Sequence, residues 1–264
     1  MNIRIPTNYE EFTLAVTVKS ATGRPECIHI TLKDNTMPNT VFTDRYKTIM
    51  DEFTFYVRMP VSGKSAELII YNERTGNIPS KSDSTFEVVN ISKQPLQKKM
   101  DVVDFNNPVI RSFINFSTRF CFNAGVLTSG EYVSDDGKFK INYTPTILSK
   151  RTNTEMNTPA RISKTTGIIQ IAQKKFVPMT IPMRMAILMH EFSHYYVNDD
   201  INNEIEADLN GLLIYLGLGY PRIEAYQAFL GTFVGTPTLE NKKRADLIDR
   251  FIRDYEKNNL VFNG

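Results

Sequence analysis

The chain has 264 residues, 41% of them hydrophobic and 23% charged, an ordinary balance for a soluble globular protein with room for two modest domains or one large one. A net charge of +2 with no dense Lys/Arg run marks no phosphate-binding surface, so no nucleic-acid partner is expected. The two cysteines, Cys27 and Cys121, show no C-x-x-C spacing and fall in different predicted domains, which argues against a disulfide framework and a cysteine-bound metal.

The first residues, MNIRIPTNYEEF, lack the apolar core of a secretory signal. The longest apolar stretch, residues 211–220, is too short to span a bilayer. The chain is therefore expected to be made in the cytoplasm, with no membrane span. Residues 12–18 alternate between apolar and polar, residues 27–32 follow a Gly-Arg-Pro turn, and residues 53–58 and 66–71 flank a turn at Ser62-Gly63. With a fifth candidate at 85–89, these short strands predict a β-sandwich-like interaction domain over residues 1–95, a surface for assembly partners. His29 has no ligand partner within reach in sequence and reads as an ordinary strand residue.

Residues 92–105 are polar and proline-broken, and the linker is placed at 96–105. Asn107-Pro108 is an N-cap followed by proline at the first helical position, and the helix should run to about Asn123, with Gly125 near its stop. Its apolar face is Val109, Ile110, Phe113, Ile114, Phe116, Phe120 and Phe122. Residues 131–133 and 139–143 face each other across Asp135-Asp136-Gly137, a hairpin signal. After a polar loop over 145–159, residues 160–164 and 167–173 form a second strand pair, and an open edge there is a place for an extended substrate to add.

The next helix, residues 180–197, carries His190-Glu191-Phe192-Ser193-His194, an H-E-x-x-H motif. Histidines four apart project from one face of a helix, so both imidazoles can bind one ion. Glu191 is placed to act as general base on a metal-bound water. Catalytic zinc takes three protein ligands and keeps one position for water. A third ligand is supplied if a second helix starts near Asn203 after a short loop, because short connections make antiparallel neighbours. Glu204 then lies beside the metal, and Asp208, one turn deeper, reaches His190 and fixes its tautomer. Asn203 and Glu206 are spaced as a capping box for that helix. It should end at Gly217 or Gly219. Two further helices follow, one from Pro221 through Leu230 and one opened by Thr236-Pro237 and lined by Leu247, Ile248, Phe251, Ile252 and Tyr255.

With Asn203-Glu204-Ile205-Glu206-Ala207-Asp208 following the two histidines, the chain resembles the gluzincin branch of the zincin metallopeptidases, whose pattern is H-E-x-x-H and then E-x-x-x-D. The gap after His194 is shorter than in thermolysin-like enzymes. The resemblance implies His190, His194 and Glu204 as Zn2+ ligands, Glu191 as base, and hydrolysis of a peptide or protein substrate. The metzincin pattern needs Gly at 197 and His at 200 with a later Met-turn. The chain has Val197 and Asp200 and no methionine after Met189, which leaves Asp200 as an alternative third ligand. Tyr195, Tyr215, Tyr220 and Arg222 are the candidates for stabilising an oxyanion.

The expected fold class is therefore α+β, a β-sandwich-like domain followed by a compact zincin-like metallopeptidase domain over residues 106–264. A zinc-dependent peptidase is the leading function. The alternative is a structural or assembly component of a tailed-phage virion that keeps a zincin fold, active or not. That combination resembles peptidase-like proteins of crAss-like phages.

Overall fold

A computed structural model describes residues 1–77, 83–149, 151–234 and 237–259. The chain divides into two compact units, Met1–Gln97 and Lys98–Val261. It is a mixed α+β protein.

Among the described residues, the first unit holds seven strands in two antiparallel sheets. One sheet has β1 (Asn2–Pro6), β6 (Ser65–Asn72), β3 (Glu26–Asp34) and β4 (Val41–Ile49) in that order; the other has β5 (Glu52–Met59), β2 (Phe12–Ser20) and β7 (Phe86–Pro95). The side-chain period of a strand is two. In β3 this leaves Ile28, Ile30 and Leu32 fully buried, while His29 and Thr31 turn toward solvent. Leu14, Val16 and Val18 do the same for β2, which has a neighbour on each side. Two strands go beyond the sequence expectation. β1 is short and ends in proline, and β4 carries Asp44, Arg45 and Lys47 on an edge, where charge discourages pairing with a second chain. β7 extends to Pro95, six residues past the expected strand.

The second unit begins inside the stretch assigned to the linker. Residues 98–105 pack on their own unit: Lys99 N–H donates to the Gly217 carbonyl at 2.9 Å, and Phe105 is buried. Helix α1 (Pro108–Asn123) starts where Asn107 Oδ1 accepts from Val109 N–H, and it buries Phe113, Phe116 and Phe120. Strands β8 (Gly130–Val133), β9 (Lys140–Thr144), β10 (Ala160–Ile162) and β11 (Ile169–Ala172) form a sheet ordered β10-β11-β9-β8, so β10 is an edge. A short helix, α2 (Gln173–Phe176), leads to α3 (Ile181–Tyr196), capped by Thr180.

Thirteen of the sixteen residues of α3 are buried, which makes it the central element of the unit. One of them is Arg184. Its Nε, Nη1 and Nη2 donate to the carbonyls of Phe176, Cys121 and Val177, so a fully buried guanidinium is satisfied by three carbonyls from two backbone segments. Helix α4 (Glu204–Gly217) packs along α3, followed by α5 (Arg222–Val234) and α6 (Leu239–Asn259). α5 runs four residues past Leu230. α6 starts at Leu239, where Thr238 Oγ1 accepts from Asn241 N–H; the expected opening residue Thr236 lies outside the described residues.

Gly211 sits where α4 crosses α3. A Cβ on it would stand 2.7 Å from the backbone nitrogen of His190 and 2.8 Å from the Met189 carbonyl carbon. Backbone cannot give way as a flexible side chain does. Gly211→Ala is expected to push the helices apart and to destabilise the protein by roughly 1–3 kcal/mol, read as a lower melting temperature in thermal unfolding.

His29 generates a pH prediction for the first unit. Its Nε2 lies 2.6 Å from Asp44 Oδ1, and its Nδ1 faces Glu73 and the Tyr71 hydroxyl. Burial pushes the imidazole pKa down, but the Asp44 and Glu73 carboxylates outweigh it and hold it above the ordinary 6.5. A group whose folded-state pKa is raised stabilises the fold fully below its unfolded pKa and loses that contribution as pH rises through the folded value. Wild type should therefore lose more stability than His29→Gln between about pH 6 and 8. Parallel melting curves for the two proteins across that range would contradict it.

Candidate metal centre

The α3–α4 pair brings three side chains to one point. His190 and His194, one turn apart on α3, turn their Nε2 atoms toward each other at 3.2 Å. The Glu204 carboxylate, from the first turn of α4, lies 3.5 Å from His194 Nε2 through Oε1 and 3.6 Å from His190 Nε2 through Oε2. The donor atoms of these three residues all lie within 4.8 Å of one another.

The opposite ring nitrogen of His194 settles which way its lone pair points. His194 Nδ1 is 3.0 Å from the Ile201 carbonyl, which can only accept, so the hydrogen is on Nδ1 and Nε2 presents a lone pair. His190 Nδ1 is 2.9 Å from Asp208 Oδ1, a close contact bent away from the N–H direction. At most one proton fits between nitrogens 3.2 Å apart. Two imidazole nitrogens and a carboxylate thus converge on a place suited to a cation, and this group can hold a metal ion.

The charges around the cluster have the same sense. Burial works to raise the Glu204 pKa, but His194, His190 and Arg244 outweigh it and hold the carboxyl at about 2. Asp208, only 1% exposed, is likewise held ionised against burial by His190 and Arg244. Burial pushes the His190 imidazole down, while Asp208, Glu191 and Glu204 together raise it. A field that would keep a proton on His190 also attracts a metal cation. Glu191 is buried, and burial raises its pKa although the two imidazoles act against this; its Oε2 accepts the Ile162 N–H of β10 at 2.7 Å.

The cluster opens into a cavity of about 340 Å³. Ile187, Phe229 and Phe233 give it an apolar wall, and Arg161, Lys164 and Arg244 bring positive charge to its lining. β10 forms one margin. Pro159 C=O and Ser163 N–H bond to β11, so by strand alternation the backbone groups of Ala160 and Ile162 turn to the open side. There Ile162 N–H meets Glu191, and the Ala160 carbonyl accepts from the Thr158 hydroxyl at 2.6 Å.

Other sequence-derived residues fall elsewhere. Asp200 is exposed, lies outside the donor group and accepts from Asn202 N–H. Asn203 Oδ1 caps α4 by accepting from Glu206 N–H, but Glu206 Oε1 accepts from Asp199 N–H instead of returning to Asn203, so only half of the expected capping box forms. None of the four oxyanion candidates lines the cavity. Tyr215 donates to the Pro221 carbonyl and stacks on Tyr220, Arg222 pairs with Glu256, and Tyr195 is partly exposed beside Gly167.

Arg244 is the residue that sequence reasoning missed. Its Nε and Nη2 grip both oxygens of Asp208 at 2.6 and 2.9 Å, and Nη2 lies 3.2 Å from Glu204 Oε2. A signal for it exists: Arg244 stands four residues before Ile248 and eight before Ile252, in line with the buried stripe of α6.

No protein family, curated protein or solved structure matches this chain. The chemistry of the site has to be read from its own residues. Asp208→Asn removes the charge that orients His190 and is expected to lower divalent-metal affinity about ten- to a hundred-fold, measured by competition with a chelating dye. Unchanged affinity would show that the Asp208 contact does not support the donor group.

Proposed function

We propose that this protein is a zinc-dependent peptidase of the gluzincin kind, with His190, His194 and Glu204 as the zinc ligands. The observation that carries the reading is the convergence of two imidazole nitrogens and a carboxylate beside a buried glutamate, in the lining of a cavity. Two neutral nitrogens with one carboxylate make a donor set common to hydrolytic zinc sites. Zinc bound there would act as a Lewis acid toward a carbonyl and bring the pKa of a coordinated water to about 7.

The chain's own residues supply the rest. Glu191 accepts the proton of the attacking water and returns it to the leaving amine. Ile162 N–H keeps one carboxylate oxygen of Glu191 fixed, and the residue lines the cavity. Asp208 and the Ile201 carbonyl orient the two imidazoles. An extended segment of substrate fits along the open side of β10, where it would take the Ala160 carbonyl from Thr158. Arg161, Lys164 and Arg244 line the cavity and are its positively charged candidates for stabilising a tetrahedral oxyanion.

Metal analysis and peptide cleavage test this directly. The wild type should carry one zinc per chain. Glu204→Ala should lose it and Asp200→Ala should keep it; the reverse pattern would overturn the ligand assignment. Glu191→Gln should retain zinc while hydrolysis across a broad peptide library falls by roughly 10²–10⁴-fold. Stoichiometric zinc with no cleavage by the wild type would leave the domain as a folded metal-binding block, not a peptidase.

A further inference from the structure

Glu191, Glu204 and Asp208 place three carboxylates around the donor group, and α6 sends one guanidinium, that of Arg244, among them. α6 is a largely polar helix whose buried side chains are Ile248, Ile252 and Tyr255, so Arg244 is its polar tie to α4. The guanidinium fork is held on three sides. Both Asp208 oxygens accept from it, Glu204 Oε2 lies 3.2 Å from Nη2, and its flat face covers the Phe233 ring at 4.8 Å.

A metal ion on His190, His194 and Glu204 would share the Glu204 carboxylate with this guanidinium. The two cations would then answer the same negative charge and repel each other. We infer that Arg244 is a resident counter-cation: it holds Glu204 and Asp208 in place when no metal is bound, and it weakens metal binding in return. The site can then load and release its ion without unfolding. This is a positioning role, and it rests on the reading of the donor group as a zinc centre.

The sign of the coupling separates this role from two simpler ones. A purely structural tie would stabilise metal-free and metal-loaded protein alike. A residue that only orients the Glu204 ligand would strengthen metal binding. A counter-cation does the opposite, because whatever stabilises the metal-free state more than the loaded one must reduce affinity, and the effect is reciprocal.

The test is a cycle between wild type and Arg244→Gln, each stripped by chelator or loaded with zinc, with melting temperature and zinc affinity as readouts. Arg244→Gln should lower the melting temperature of the stripped protein more than that of the loaded one and should bind zinc about tenfold tighter or more. Equal losses in both states, or weaker zinc binding, would overturn the inference. Arg244→Lys keeps the charge and should stay within about threefold of wild-type affinity; a larger change in either direction would also overturn it. Lys243→Gln, a neighbouring charge on α6, should leave affinity unaltered, and a gain matching that of Arg244→Gln would assign the effect to bulk electrostatics. If Arg244→Gln folds only on adding zinc, followed by circular dichroism, the inference stands; if it folds under neither condition, Arg244→Lys decides. Wild type that binds no zinc sinks the metal-centre reading and this inference with it, whereas normal zinc binding without the coupling sinks this inference alone.

Discussion

The approach of α4 to α3 is the constraint on which the site depends. Glu204 can reach the histidine pair only if the two helix backbones run close, and a glycine stands at their crossing, against the backbone of His190 itself. From there the distances follow. The first turn of α4 lies opposite the His194 turn, the second lies opposite the His190 turn, and so Glu204 meets both imidazoles while Asp208 meets the deeper one. A wider crossing would leave two histidines on a buried helix with no carboxylate to complete them. The N-cap at Asn203 and the tie between His194 and the Ile201 carbonyl fix where α4 begins, and that start sets its register.

Close packing of this kind concentrates charge, and charge in a buried place needs partners. Here each carboxylate has at least one. Glu191 accepts a backbone N–H from the edge strand, Asp208 lies between an imidazole and a guanidinium, and Glu204 faces two imidazoles and the same guanidinium. The sheet and the C-terminal helix therefore belong to the site as much as the motif helix does. β10 holds Glu191, and α6 holds α4.

The legible part of this arrangement was the part with short-range causes. The four-residue spacing of His190 and His194 is a helical turn, and Glu204 follows a loop too short to let α4 go elsewhere, so the donor group could be read from spacing alone. Asn107 and Asn203 announce their helices by capping them, and alternation marks β2, β3, β5 and β6. What escaped were pairings between distant residues and strands whose sequence is shaped by an edge. Arg244 is thirty-six positions from Asp208, and nothing local ties them. β4 hides behind Asp44, Arg45 and Lys47, charges that suit an exposed edge and break the apolar period. The oxyanion candidates lie away from the cavity because their polar groups are committed elsewhere: the hydroxyl of Tyr215 to the Pro221 carbonyl and the guanidinium of Arg222 to Glu256. Residues 98–105 looked like a linker because they are polar, yet they close over Gly217 at the end of α4.

Two arginines of the second unit, Arg184 buried and Arg244 partly buried, are held by different kinds of acceptor. Arg184 donates to three backbone carbonyls, neutral acceptors that do not titrate. Its role is to join α1, α2 and α3 permanently, and α3 gains a fixed position from it. Arg244 is bound by two carboxylates that another cation could also claim. Arg184 thus braces α3 through neutral acceptors, while Arg244 meets the carboxylates of α4; if Arg244 acts as the inferred counter-cation, a response to metal would fall on α4 and α6.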